Sequence, residues 1–468
     1  MTRHRWALGR WIGLAAIALL LVQPALQARE TTRATGVVGV DTAQLDPAYW
    51  IGLQRRPDAI VLERDAIAAQ NRRLLQMDAS TRDIATLPDA LSATQVRAWI
   101  EALSSRPART LYDQGGAEIA VARVDGWVEA LDLAAIPPSQ PTRYGLIVQR
   151  APLRTFPTRT RVFNRIGDTD IDRFQENAFF PGTPVAIVHE SRDRDWWFVV
   201  GNLYAAWIEK RFVAEGDKAT VLGYADRTPY LVVTGAEVRT TTTPEQPALS
   251  DLQLDMGVRV PWLRDFPGER GVNGQAAYAS YVIELPVRDA DGRLRIAPAL
   301  LPRTADVSPD YLPLTPGNLL RQGFKFLGER YGWGHDYDAR DCSGFVSEVY
   351  RSMGVILPRN TRDQGVSPAL NRIALNAADD AARRAQLAHE LRVGDLVYIP
   401  GHVMMVIGHD QGMPYVIHDT NGGSWRGADG RLVSGHLNGV SVTPLTPLRF
   451  DQEHSYIDRM TNIQRIRP

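Results

Sequence analysis

The spacing of hydrophobic and polar positions changes several times along this chain, and each change predicts a different kind of element. Residues 58–76 set Ile60, Val61, Ile67, Leu74 and Leu75 among charged and polar neighbours, which predicts a helix, and residues 94–103 predict another. The run Ile136-Pro137-Pro138-Ser139-Gln140-Pro141 is a stiff break that suits a boundary. Short β-branched or aromatic runs follow at 145–149, 183–189, 196–200 and 205–208, separated by turn-prone stretches such as 191–195; together they predict a small barrel. A second β-rich stretch covers 219–302. In it, Asp291-Gly292 between 281–287 and 294–296 is a hairpin signal, and the Thr-rich tract 240–243 fits an exposed loop.

A proline-rich break at 302–316 leads into the last region. Residues 318–330 predict a helix. After Cys342, apolar residues at Phe345, Val346, Val349, Tyr350 and Met353 form a helical stripe that stops at Gly354. Strands are predicted at 391–398 (after a turn), 401–408 and 415–419, with His409 in a solvated turn. The segment 360–391 is long, charged and helix-prone, and reads as an insertion near a cleft.

The N-terminus carries a different signal. Arg3, His4, Arg5 and Arg10 precede an uncharged run from Trp11 to Val22, and Ala25 and Ala28 follow. This is the layout of a secretory signal peptide ending at residue 28, and the run falls short of the ~20 apolar residues that span a bilayer. The mature chain is therefore expected to be exported, to the periplasm or cell envelope, with no membrane span. An uncleaved, membrane-anchored N-terminus is the alternative. Across 468 residues, Lys+Arg and Asp+Glu are balanced at 53 each, which gives no basic excess for a nucleic-acid partner. Apolar residues make up 44%, enough for real cores. The chain has a single Cys, so an exported form has no internal disulfide. That thiol is either a buried filler or a working group.

The sequence around it favours work. Asp341 is placed to cap the helix predicted after Cys342, which sets the thiol in the first turn. There the free N–H groups and the helix dipole favour a thiolate and lower a pKa that is ~8.5 in a free Cys. A nucleophilic Cys needs a base and a group to orient it. His402 opens one predicted strand and His418 lies on the next, where tight antiparallel pairing brings them side by side. No H-E-x-x-H, paired-Cys or phosphate-loop pattern occurs, so no metal and no cofactor are expected.

The ordered set Asp341-Cys342-Ser343-Gly344-Phe345-Val346, Val393-Gly394-Asp395-Leu396-Val397, Gly401-His402-Val403 through Val406-Ile407-Gly408, and Val416-Ile417-His418 resembles the NlpC-type cell-wall peptidases, which have a papain-like catalytic core. Trp196-Trp197-Phe198-Val199-Val200, followed by Tyr204-Ala205-Ala206-Trp207-Ile208, resembles the end of a bacterial SH3 domain, with Ala206 where Gly is usual. These resemblances imply an α+β multidomain chain. Its parts are a signal peptide (1–28), a helical N-terminal segment (29–142), two small SH3-like barrels (143–216 and 217–306) and a papain-like cysteine peptidase domain (307–468). They further imply Cys342 as nucleophile, His402 as base and His418 as the orienting group. Tyr331 stabilises the oxyanion beside the Cys342 N–H, and Asp341 and Ser343 touch substrate. Tyr204 is the candidate wall by which the first barrel restricts the cleft to stems with a free L-alanine amine. The family's Y-x-W-G-G motif is broken here by His335 after Gly334.

The implied partners are peptidoglycan stem peptides or muropeptides, cut at the γ-D-glutamyl–diamino-acid bond. Two other readings stay open: an amidase or transacylase on the same thiol core, and an inactive wall-binding protein whose SH3 domains carry the function.

Overall fold

The computed structural model describes residues 35–427 and 429–467. The signal peptide expected at 1–28 lies outside the described residues. The N-terminal region supplies α1 (Pro47–Gly52), α2 (Arg64–Met77), α3 (Ala93–Leu103) and α4 (Val121–Ala130). These helices are too short to bury their apolar faces against one another, and they do not share a core. Val40, Trp50 and Ile67 join Phe345, Val349 and Ile417 in the C-terminal core. Ile84, Leu91, Val96, Ile100 and Trp127 instead pack with Phe198 and Trp207. Helix α2 begins later than its apolar spacing predicts. Residues 58–63 are drawn out of the helix, because the Val61 N–H bonds to the Leu314 carbonyl at 2.8 Å and Leu62 bridges Leu314.

The first β unit contains β1 (Arg143–Ile147), β2 (Ala151–Arg154), β3 (Gln175–Phe179), β4 (Pro184–Glu190), β5 (Trp196–Val200), β6 (Ala205–Glu209) and β7 (Val213–Gly216). They form one seven-stranded sheet in the order β3-β2-β6-β5-β4-β1-β7. Both faces are covered. Ile147, Ile187, Trp197, Val199 and Ile208 fill the inside, while Trp196, Phe198, Val200 and Trp207 face the N-terminal helices. This explains why β5 reads as an unbroken apolar run, since a strand with one wet face would alternate.

A short helix, α5 (Lys218–Gly223), leads to the second β unit. There β8 (Tyr230–Val233) pairs with β9 (Arg259–Pro261), and β10 (Ser280–Arg288) pairs with β11 (Leu294–Pro302). The β10–β11 hairpin closes through Asp289–Arg293, with Gly292 at φ +83 where a side chain would be strained. One core, including Leu231, Val233, Leu254, Ile283 and Leu301, sits between these ladders.

The C-terminal unit begins with α6 (Pro316–Phe324), started by Pro316 and by Thr315 Oγ1 accepting from Asn318 N at 3.1 Å. It ends earlier than 330, because the chain turns at Gly328 (φ +85) and Arg330 then bridges Gly439 as an extended segment. Next come α7 (Cys342–Arg351), α8 (Thr361–Val366), β12 (Asn371–Ala374), α9 (Ala381–Glu390), β13 (Leu396–Ile399), β14 (His402–Asp410), β15 (Met413–Thr420), β16 (Gly439–Pro444) and β17 (Asn462–Arg465). The sheet order is β12-β17-β13-β14-β15-β16.

Helix α7 lies on one face of this sheet, with Phe345 and Val346 against Val403, Met405 and Ile417. Leu387 of α9 covers the other face over Met404, Val406 and Val416. The helix-prone segment 360–391 thus also contains an edge strand. His409 is not in a turn: it continues β14 past a bulge between Val406 and Gly408, and its Nε2 lies 3.3 Å from the Ala388 carbonyl. No helix among the described residues is long and apolar enough to cross a membrane.

Candidate active site

Cys342 is the first residue of α7, and Asp341 caps that helix by accepting from Gly344 N at 2.8 Å. The thiol is buried, with Sγ 3.5 Å from Thr361 Oγ1 at the start of α8, and the backbone of Val403 lies against it. Its proton affinity runs opposite to the expectation from the helix terminus. Burial, together with the Asp341 carboxylate, pushes the thiol up to about 12. The thiol is therefore neutral in the free protein.

Val403 follows His402, so packing of α7 on β14 brings the helix that starts at Cys342 next to the histidine pair. His402 Nε2 lies 2.7 Å from His418 Nδ1, and His418 Nε2 lies 2.9 Å from Thr443 Oγ1 on β16. The sheet creates this row, because β14, β15 and β16 are adjacent. Burial lowers His402 to about 4, and burial followed by the neighbouring His402 lowers His418 well below the usual histidine range. Both rings are neutral at pH 7. Because His418 occupies Nε2 of His402, Nδ1 is the ring nitrogen left for a proton from elsewhere.

Tyr331 is buried, and its phenol stays protonated. Burial raises its pKa first, followed by the nearby Cys342, Asp341 and Asp419. Ser343 donates from Oγ to Asp341 Oδ1 at 3.1 Å. Burial works against charge on Asp341, but the Arg359 guanidinium holds its carboxyl well below the usual range. Arg359 Nη1 donates to Asp341 Oδ1 at 3.1 Å and Nη2 to Oδ2 at 2.8 Å. Tyr204 comes from the β5–β6 loop of the first β unit and donates to Glu176 Oε2 at 2.5 Å. It lies within the electrostatic reach of Arg359 and Asp341.

Cys342, Asp341, Ser343 and Tyr331 thus share one locality, His402 and His418 form a bonded pair, and Tyr204 approaches from the barrel. Sequence reasoning missed Thr361, Arg359, Thr443, Glu176 and Asp419. Asp419 is fully buried with both carboxyl oxygens unpartnered, and burial, then Asp341 and Glu329, keep its proton on. The signal for Arg359 was a charged residue two positions after the apolar run Val355-Ile356-Leu357; for Thr443 there was none. Among the described residues, no group of three or more His, Cys, Asp or Glu side chains converges as a metal site.

Comparisons with known proteins agree with this layout. Residues 328–428 match the NlpC/P60 family, and residues 161–209 match the SH3 domain of the SH3b1 type. No curated protein matches the chain. Among solved structures, an NlpC/P60 endopeptidase from Photobacterium damselae subsp. piscicida has a TM-score of 0.71 at 15% identity, covering 90% of this chain and 96% of that one. An NlpC/P60 family protein from Bacillus cereus ATCC 10987 is 20% identical, covering 69% of this chain and 100% of that one, with a TM-score of 0.47. At 15% identity the first likeness is one of fold, and it extends over nearly the whole chain. The C-terminal unit is a domain of the NlpC/P60 family, a family of cysteine peptidases, joined in one chain to an SH3 domain of the SH3b1 type.

Proposed function

We propose that this protein is an exported peptidoglycan endopeptidase that hydrolyses the γ-D-glutamyl–diamino-acid bond of stem peptides through Cys342, His402 and His418. The observation that carries the reading is the bonded row His402–His418–Thr443, which begins next to the residue packed against the Cys342 thiol. If His402 donates from Nε2 to His418, and His418 donates from Nε2 to Thr443, the lone pair of His402 is on Nδ1. That tautomer is the one a general base requires.

With the thiol raised and the imidazole lowered, the resting pair is neutral rather than a thiolate–imidazolium pair. Proton transfer then accompanies attack. His402 Nδ1 takes the thiol proton as sulfur bonds to the γ-carbonyl carbon, and the Cys342 N–H and the Tyr331 hydroxyl receive the oxyanion. The C–N bond breaks as His402 returns the proton to the leaving amine. Water then attacks the thioester, His402 takes its proton, and the acid and free thiol are released.

Asp341 and Ser343 are the substrate contacts, held by Arg359. The unit at 217–306 reads as a second SH3-like barrel. The first barrel walls the cleft through Tyr204, and the adjacent Glu176 suits a substrate ammonium, which supports a preference for a free L-alanine amine. Mass spectrometry of products tests the reading on free tripeptide and tetrapeptide stems and on intact sacculi. Release of L-alanyl-γ-D-glutamate is expected. Release of whole stems from muramic acid, or formation of a new amide, would replace the endopeptidase reading with an amidase or transacylase.

A further inference from the structure

Arg359 has an acceptor for every N–H of its guanidinium. Nη1 donates to Asp341 Oδ1 and to Ser343 Oγ at 2.8 Å, and Nη2 to Asp341 Oδ2 and to His335 Nδ1 at 3.0 Å. The remaining Nε–H donates to Asn177 Oδ1. Asn177 belongs to β3 of the first barrel, not to the catalytic unit. Asn177, His335, Asp341 and Arg359 are all buried, so a lost partner is costly to these groups.

His335 has a defined role in this arrangement. Its Nδ1 accepts from Arg359, so the ring proton sits on Nε2, which lies 3.2 Å from Glu348 Oε1. The imidazole is neutral: burial first, then the Arg359 charge, holds its pKa well below the usual range. The residue adopts φ +64, where a side chain is strained, and its ring lies where a Cβ on Gly344 in the first turn of α7 would meet it at 2.6 Å. The strain is held by the surrounding bonds and sets the ring against both the helix and the guanidinium.

We infer that Asn177 of the first barrel is a positioning residue for the nucleophile, acting through Arg359 on the Asp341 cap of α7, with His335 as the neutral wedge that orients the guanidinium. The barrel is thus part of the catalytic apparatus, and not only a wall over it. This inference stands whether or not the bond cut is the one proposed above.

The test uses the full chain and its single cysteine, so that it needs no substrate. The rate of Cys342 alkylation by iodoacetamide is measured between about pH 7 and pH 10 for wild type, Asn177→Ala and Asn177→Gln, with circular dichroism as the folding control. In Asn177→Ala the guanidinium loses its anchor, the Asp341 charge beside the thiol is less neutralised, and the thiolate is disfavoured. Alkylation should slow at least about threefold at every pH in this range, because the small thiolate fraction falls. Asn177→Gln keeps a neutral amide oxygen as acceptor for Nε and should recover most of the wild-type rate. With substrate, Asn177→Ala should lower single-turnover acylation about tenfold while KM changes little, as expected of a misplaced reacting group. An unchanged alkylation rate for folded Asn177→Ala would overturn the inference. So would faster alkylation, which reports a loosened domain, or an Asn177→Gln variant as impaired as the alanine.

Discussion

His402 and His418 meet at 2.7 Å across adjacent strands, and the second ring is itself tied to Thr443 at 2.9 Å. The arrangement assigns unequal work to its members. Cys342→Ala and His402→Ala should each fall close to background, and the double variant should be little worse than either, because linked groups do not contribute additively. His418→Asn keeps a hydrogen-bonding group and should retain measurable turnover, whereas His418→Ala should lose most of it. Thr443→Val removes the hydrogen-bond partner of His418 Nε2 and should cost about tenfold in acylation. If His402→Ala acylates faster than His418→Ala, base and orienter are reversed.

The pH dependence follows from burial of the same pair. A base held at about 4 is available at any pH above that value and is lost only below it, while the thiol at about 12 stays neutral through the usual range. The profile of kcat/KM for the free enzyme should therefore show an acid limb near pH 4 and then a plateau through pH 9. An acid limb at 6.5 or above would contradict a buried, neutral resting pair.

Tyr331 keeps its phenolic proton and should act as a donor to the oxyanion. Tyr331→Phe is expected to lower kcat by ~10²–10³, with little change in KM. A KM effect alone would make it a packing or binding aromatic instead.

The proposed restriction of the cleft by the first β unit has a direct kinetic consequence. Stem peptides with a free L-alanine amine should be cut far faster than stems still attached to muramic acid. Glu176→Gln should raise KM for the free stems and narrow that gap. Equal wild-type rates on free stems and intact sacculi would remove occlusion from the account without touching the chemistry.

The N-terminal region should matter to the C-terminal unit. Trp50 is fully buried against Tyr415, with ring centroids 5.0 Å apart, and donates from Nε1 to the Gln44 carbonyl at 2.8 Å. Trp50→Ala should destabilise the unit that contains α7 by about 3–5 kcal/mol, read from hydrogen exchange of the 342–351 amides. Protection lost only in residues 40–80 would mean that the helices are an appendage.

Much of this protein was legible locally. The Asp341-Cys342-Ser343-Gly344 start of α7, the strands that carry His402 and His418, and the β character of 143–216 depend on caps, turns and periodicities within a few residues. Those terms are decided by the chain's own neighbours, so spacing alone reports them. The apolar run Trp196–Val200 reported a strand, while the covering of both its faces came only from the packed structure. Only the tertiary structure decided that the N-terminal helices divide between two cores, that Val61 is pulled out of a helix by Leu314, and that burial overrides the helix terminus at the Cys342 thiol. It likewise decided that Asn177 meets Arg359 across 182 positions and that Thr443 completes the histidine row. Pairings of this kind leave no periodicity behind, because the energy that selects them comes from desolvating groups that are brought together only when the whole chain has closed.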